Sequence, residues 1–318
     1  MTVVAGKIEH SQHRLRGVSF MRPPWRRVDG VLALDKPVGP SSTSVLQHVR
    51  RLYRAQKAGH GGTLDPAASG LLVLLFGEAT KFSQWQLGGA KTYTGTIRLG
   101  VTTSTDDAEG EVLQRCPVTS EAVDLSALAN RFTGTFLQRP PMFSALKREG
   151  RPLYAYARKG LAVDIAPREV VIERLALSRL GSEQLLFAVD CGSGTYIRSL
   201  ARDIGEALGC GAHLESLRRT HAGGLDVAKA VSVEALEAAT AEERDGLLLP
   251  PDALLWALPR VDLQAPAAKA LTAGQPVFQE TEQQIGFSRV YGPDGDFLGV
   301  AEATPSGRLL ARRLMAPT

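Results

Sequence analysis

Apolar and polar positions alternate with different periods along the chain, and the changes of period mark out its elements. The run Gly30–Leu34 predicts a short strand that stops at the rigid turn Asp35–Ser44 (DKPVGPSSTS), where Ser41 or Ser42 can cap a following helix. In that helix Val45, Val49, Leu52 and Tyr53 form one buried stripe, with Arg50, Arg51, Arg54 and Lys57 on or near the other face. The unbroken run Leu71–Phe76 predicts a buried strand. Lys91–Leu99 alternates cleanly, so Tyr93, Gly95, Ile97 and Leu99 share one face while Thr92, Thr94, Thr96 and Arg98 share the other. A helix is predicted over Ser120–Phe132, a strand over Leu185–Cys191, and a turn over Gly192–Gly194. After that turn Ile197, Leu200, Ile204 and Leu208 stripe a helix that Gly209 stops. Beyond a helix ending in LLWALP the texture changes. The short runs Gly286–Val290, Phe297–Ala301 and Leu309–Leu314, separated by GPDGD and PSG, predict a small, mostly β second domain over 259–318.

Composition changes this picture in two ways. At 318 residues and 44% hydrophobic content the chain can fill one large core and one small one. The absence of a membrane-length apolar run and of a signal-peptide core in MTVVAGKIEHSQHRLRG gives the expectation of a soluble, cytoplasmic protein. Charge is unevenly spread. Residues 1–60 hold eleven Lys and Arg against three acids, and residues 131–160 hold seven against one, while acids gather in Thr105–Glu111 and Glu234–Asp245. Such segregation suits one surface that meets a polyanion. Met1–Val28 reads as a basic tail that is mobile unless it meets a partner.

Candidate chemistry centres on KAGHGGTLDPAASGLLVLLFGEATK (Lys57–Lys81), where Gly59, Gly61, Gly62 and Gly70 surround one acid, Asp65, at the mouth of a buried strand. A loop of this kind can fix a reactive carboxylate; equally, Asp65 followed by Pro66 can be a helix cap with proline in the first turn. Tyr93 faces inward, as a core residue or as the wall of a pocket. Arg198, in the first turn of its helix, calls for a carboxylate or phosphate partner, whereas Arg202 can pair with Glu206 one turn on. In Leu137–Gly160, Phe143, Tyr154 and Tyr156 are interleaved with Arg139, Lys147, Arg148, Arg151, Arg158 and Lys159, the composition of a nucleic-acid surface. The glycine clusters lack the third glycine of a dinucleotide fingerprint. No GxxxxGK[ST], GxSxG or HExxH occurs, and Cys116, Cys191 and Cys210 show no CxxC spacing, so neither a metal nor another cofactor is expected.

Six motifs in order, GVLALDKPVGPSS (Gly30–Ser42), GHGGTLDPAASGLL (Gly59–Leu72), KTYTGTIRLG (Lys91–Gly100), QRPPMFSALKREGRPLYAYARKG (Gln138–Gly160), GTYIRSLARDIG (Gly194–Gly205) and LESLRRTHAGG (Leu214–Gly224), closely resemble the TruB family of bacterial tRNA pseudouridine-55 synthases. GPDGDFLGVAEA and LLARRLM resemble that family's C-terminal PUA domain more loosely. The resemblance implies an α+β fold, a mixed, largely antiparallel sheet with flanking helices over 29–258, plus the small PUA-like RNA-binding domain over 259–318. It implies a cofactor-free isomerisation of a uridine in the T loop of tRNA, flipped out of its stack, to pseudouridine. Asp65 is then the catalytic carboxylate, Tyr93 stacks on the uracil and Arg198 pairs with Asp65. His60 fills space left by flipped nucleotides, Leu217 walls the pocket, Lys36 lies near the loop, and Gly62, Thr63 and Tyr196 complete the substrate site. Residues 131–160, with the cations named above, resemble the insertion that clamps the T arm and that RNA-guided relatives lack. The implied protein is a monomer that needs no protein partner and has no membrane association; it could also assist tRNA folding.

Overall fold

In the computed structural model the described residues are 24–118, 123–144, 146–148, 150–157, 159–161, 163–278 and 285–316. A ten-stranded mixed sheet runs, edge to edge, through Val231–Ser232, Gly30–Lys36, Ala68–Phe76, Ala212–Ala222, Lys91–Leu99, Gln184–Cys191, Arg168–Arg179 and Gly134–Gln138, with Ala58–His60 and Leu225–Asp226 attached to its side. Most neighbours are antiparallel. The pairings of Ala212–Ala222 with Ala68–Phe76 and of Gly30–Lys36 with Val231–Ser232 are parallel, so the α+β class with a mixed, largely antiparallel sheet holds.

The apolar run after Gly70 is unbroken because the strand is covered on both faces. Leu72, Leu74 and Phe76 join the main core with Val45, Val49 and Tyr53 of the helix Ser42–Tyr53 and Leu200 and Ile204 of the helix Ile197–Ala207. Leu71, Val73 and Leu75 join a second cluster with Val31, Ala33 and Leu254. Each such side chain contributes on the order of 2 kcal/mol of hydrophobic stabilisation. Lys91–Leu99 keeps its predicted alternation, with Tyr93, Ile97 and Leu99 buried and the threonines half-exposed.

A five-stranded sheet, ordered Arg260–Asp262, Gly286–Tyr291, Phe297–Ala303, Arg308–Leu314, Val277–Phe278, forms the C-terminal unit with the helix Ala265–Thr272. Phe82, Leu255 and Val300 are buried together where it meets the larger unit, the Phe82 and Phe297 rings lying 5.3 Å apart edge to face. Of the expected basic tail, residues 1–23 lie outside the described residues. Residues 24–28 are docked: Arg26 donates to the Tyr53 carbonyl at 2.9 Å and pairs with Asp245, and Val28 is buried.

Several local expectations are corrected. Asp65–Pro66 starts no helix: the Asp65 carbonyl accepts the Ala68 N–H at 3.1 Å in a turn, and the strand begins at Ala68. The helix expected over Ser120–Phe132 is Leu125–Arg131, capped by Asp124. Residues 133–160, for which no regular elements are expected, hold the strand Gly134–Gln138, a hairpin of Lys147–Arg148 with Arg151–Pro152, and the helix Leu153–Ala157. The helix expected to end in LLWALP (254–259) is instead the short 3₁₀ turn Ala253–Leu255. Arg168–Arg179 and Ala212–Ala222 form strands that the periodicity does not announce.

Candidate active site

The loop bearing Asp65 is held in place largely by the turn that precedes the first helix. The hydroxyl of Ser42, itself buried, donates to the Leu64 carbonyl at 2.7 Å and accepts the Leu64 N–H at 2.8 Å. Gly39 N–H donates to the Pro66 carbonyl at 2.8 Å. Lys36 is wholly buried; its ammonium bonds the carbonyls of Pro37 at 2.8 Å and Ala68 at 2.7 Å and lies 3.4 Å from that of Pro66. Burial lowers its pKa and the nearby Asp65 opposes that shift. Lys36 is therefore a brace beneath the loop and lines no part of the cleft above it.

That cleft, of about 680 Å³, is lined by Gly62, Thr63, Asp65, Lys91, Tyr93, Tyr196, Arg198, Leu217 and Arg219 among others. Arg198 Nε lies 3.0 Å from an Asp65 carboxylate oxygen and 3.5 Å from one of Asp107. Its two terminal nitrogens donate to the carbonyls of Thr105 at 3.1 Å and Phe143 at 2.8 Å. A buried guanidinium with four acceptors around it has little freedom, so it presents a fixed positive edge to Asp65, whose side chain stays 43% exposed. Asp107 is buried and accepts the Thr105 hydroxyl and, at 3.1 Å, the Glu109 N–H.

Tyr93 is 8% exposed yet forms cleft wall, so it is at once a core residue and a pocket face. Burial raises its phenol pKa, and the nearby guanidinium of Arg219 opposes that rise. Arg219, fully buried, donates to the carbonyls of Leu71 at 2.7 Å and Gly62 at 3.1 Å. Gly70 sits directly beside it: its φ is +97°, and a Cβ there would lie 2.3 Å from the Arg219 carbonyl oxygen. Tyr196 caps the helix of Arg198 and lines the cleft; the buried Gln138 amide bonds its N–H at 2.9 Å and its carbonyl at 3.2 Å.

The remaining expected residues lie apart. His60 is half-buried on the strand Ala58–His60, with a ring nitrogen that has no partner; burial and then Arg219 lower its pKa, and it is not in the cleft lining. Arg139 is 62% exposed and 4.0 Å from Asp164, and Arg148 donates to the Asp164 carbonyl at 3.0 Å. Arg151 and Lys159 are exposed. The side chains of Lys147 and Tyr154, and all of Arg158, lie outside the described residues. Arg202 pairs with Glu206 one turn on, as expected, but loosely at 3.9 Å; its closer partners are Asp106 at 3.0 Å and Asp203 at 2.8 Å. Sequence reasoning missed Asp107, Gln138, Lys91 and Arg219. Arg219 was visible only as one of two adjacent arginines in LESLRRTHAGG, with no role attached.

Comparison with known proteins identifies the family. The TruB family pseudouridylate synthase N-terminal domain matches residues 50–197, the tRNA pseudouridylate synthase B C-terminal domain matches 198–256, and the pseudouridine synthase II TruB C-terminal domain matches 259–315. The chain is 51% identical over 296 residues to the tRNA pseudouridine synthase B of Burkholderia mallei (strain NCTC 10247), covering 91% of this chain and 98% of that one. It is 48% identical over 290 residues to the protein of that name from Methylobacillus flagellatus, covering 91% and 96%. Among solved structures, a chain of an H/ACA RNP bound to a substrate RNA containing 2′-deoxyuridine superposes with a TM-score of 0.67 at 22% identity, covering 91% of this chain and 85% of that one. One from a Cbf5-Nop10-Gar1 complex gives 0.66 at 25%, covering 89% and 84%.

Proposed function

The chain belongs to the TruB family and is a pseudouridine synthase, and from that premise we propose that it isomerises the uridine at position 55, in the T loop of tRNA. The observation that carries the assignment of roles is the meeting of Asp65, buried Arg198 and the Tyr93 wall in one cleft. In this reading the target nucleotide leaves its stack, at a cost of a few kcal/mol, and its uracil lies against Tyr93, which supplies a flat, immobile face. Leu217, Tyr196, Gly62 and Thr63 bound the remaining space.

Asp65 acts at the ribose–base junction. The bond from C1′ to N1 breaks, the base turns in the cleft, and C5 joins C1′; C5 gives up a proton and N1 carries one in the product. Arg198 fixes the rotamer of Asp65 and keeps its charge in place, and Asp107 and the two backbone carbonyls fix Arg198 in turn. Lys36 and Ser42 act one step further out, by holding the backbone on either side of Asp65. The exposed cations Arg139, Arg148, Arg151 and Lys159, together with Lys147 and Arg158, contact the phosphates of the T arm. His60 fills the space that flipped nucleotides leave, the C-terminal unit adds RNA contact, and the protein works as a monomer without a guide RNA or protein partner.

The test is tritium release from a T-arm hairpin carrying uridine labelled at C5, incubated with the purified chain alone. Wild type releases tritium, and Asp65→Asn binds the hairpin with unchanged affinity but releases tritium at least about 10³-fold more slowly. Release at the wild-type rate from Asp65→Asn would sink the assignment.

A further inference from the structure

Two cations in the floor of the cleft have no part in the scheme above. Lys91 opens the strand whose third residue is Tyr93, so the two side chains leave the same face. Arg219 stands opposite Tyr93 on the neighbouring strand. A Cβ built on Gly62 would meet Nη1 of Arg219 at 3.4 Å and Cε of Lys91 at 3.7 Å, so the two side chains flank one point that Gly62 leaves open. Their residues are 9% and 1% exposed. Bringing like charges together in a dry site costs stability, and the strain registers on Lys91, whose pKa is lowered first by burial and then by Arg219. Arg219 has a structural reason to be there, since it ties down Gly62 and Leu71. Lys91, which donates to the Gly89 carbonyl at 2.8 Å, lines the cleft itself.

We propose that Lys91 is a further catalytic residue of this site: its ammonium, backed by the field of Arg219, contacts a carbonyl oxygen of the target uracil and stabilises the charge that the base acquires when the glycosidic bond breaks. The inference rests on the reading given under Proposed function. As the C1′–N1 bond opens, its electron pair stays with the uracil and spreads over N1, O2 and O4. The same pair returns to carbon when C5 bonds to C1′ and loses its proton. A fixed cation beside O2 or O4 meets that charge where it develops, in a place from which most water is excluded. Depth selects the base over the backbone: a phosphodiester tethered on both sides stays at the rim, whereas a flipped base reaches the floor beside Tyr93. Arg219 is a positioning residue, committed to its two carbonyls.

The experiment measures single-turnover pseudouridine formation on the T-arm hairpin by wild type, Lys91→Met and Lys91→Arg, each with uridine, 2-thiouridine or 4-thiouridine at the target. Lys91→Met is expected to slow the reaction about 10²-fold with RNA affinity unchanged. Sulfur in place of the contacted oxygen slows the wild type but adds no further loss in Lys91→Met, because the contact is already gone. A wild-type rate in Lys91→Met, or oxygen-to-sulfur penalties that add fully at both positions, would overturn the proposal. Should Lys91→Met fail to fold by circular dichroism, Lys91→Arg decides: a changed oxygen-to-sulfur ratio supports the contact, and an unchanged ratio at both positions overturns it. If wild type itself forms no pseudouridine in the hairpin, the T-loop reading falls and takes this one with it; an active wild type beside an indifferent Lys91 series removes this one alone.

Discussion

The cations of the cleft and those of the 131–160 insertion are the same residue types put to opposite uses. Arg198 and Arg219 are buried and bound by backbone carbonyls, so each has one orientation and acts at one atom. Arg139 and Arg151 stand in solvent, and Arg139 lies 4.0 Å from the Asp164 carboxylate. A solvated guanidinium with a loose partner contributes little to stability but a good deal to the field that draws in RNA. Burial thus turns charge into geometry, and exposure leaves it as long-range attraction. Gln138 and Arg139 join the two settings: the Gln138 amide and the Arg139 carbonyl bond Tyr196, Ser199 and Arg202, at the start of the helix that carries Arg198.

The contrast is tested hardest at Arg198. Arg198→Met leaves the buried Asp107 without its guanidinium, so urea unfolding should show a loss of about 3 kcal/mol, and single-turnover chemistry should fall with it. A variant with wild-type stability would mean that the buried ion pairs are no more than surface contacts in effect. The opposite pole is Arg151→Ala combined with Lys159→Ala. Stability should stay within about 0.5 kcal/mol of wild type, while the slope of log affinity against log salt becomes shallower by about one per lost phosphate contact. Titrating the hairpin at several salt concentrations checks this, and the rate once RNA is bound should not change.

The smallest effect concerns His60, which belongs to neither group. Burial holds its folded-state pKa below the ordinary 6.5, so the unfolded chain binds more protons across the window from that lowered value up to 6.5. Stability is therefore fully present above 6.5, and it is lost as pH falls through the window. Thermal melts from pH 7.5 downward should show wild type losing stability below about 6.5 more steeply than His60→Gln; identical slopes would assign the loss to other groups.

What could be read from the chain depended on whether a residue's partners are close in sequence. Lys91–Leu99 was legible because one face is buried and the other is not, and the helix Ile197–Ala207 because its stripe is regular. Ala212–Ala222 was not, although it lies in the middle of the sheet. LESLRRTHA carries charges that look solvated until the carbonyls of Gly62 and Leu71 and the phenol of Tyr93 close around Arg219. Asp65–Pro66 carries a good local helix signal, which bonds from Lys36, Gly39 and Ser42 override. Arg202 keeps Glu206 on its own helix at 3.9 Å but holds Asp106, far off in sequence, more closely at 3.0 Å. Asp107 is one acid in an acidic turn, and nothing local distinguishes the one that folds inward. The Asp65–Arg198 pair was half visible: a cation in a first helical turn asks for an anion, but only the likeness of motifs named which one.

The contact at Gly70 gives the cleft a gauge. With the Arg219 carbonyl 2.3 Å from where a side chain would begin, any residue but glycine must drive two parallel strands apart. The first of those strands leads from Asp65, and the second carries Leu217 and Arg219. The spacing between the acid and the opposite wall is therefore set by an atom the sequence leaves out, and a single added methyl group at residue 70, pressing on the Arg219 backbone, would recalibrate the width of the site without changing the identity of any residue that lines it.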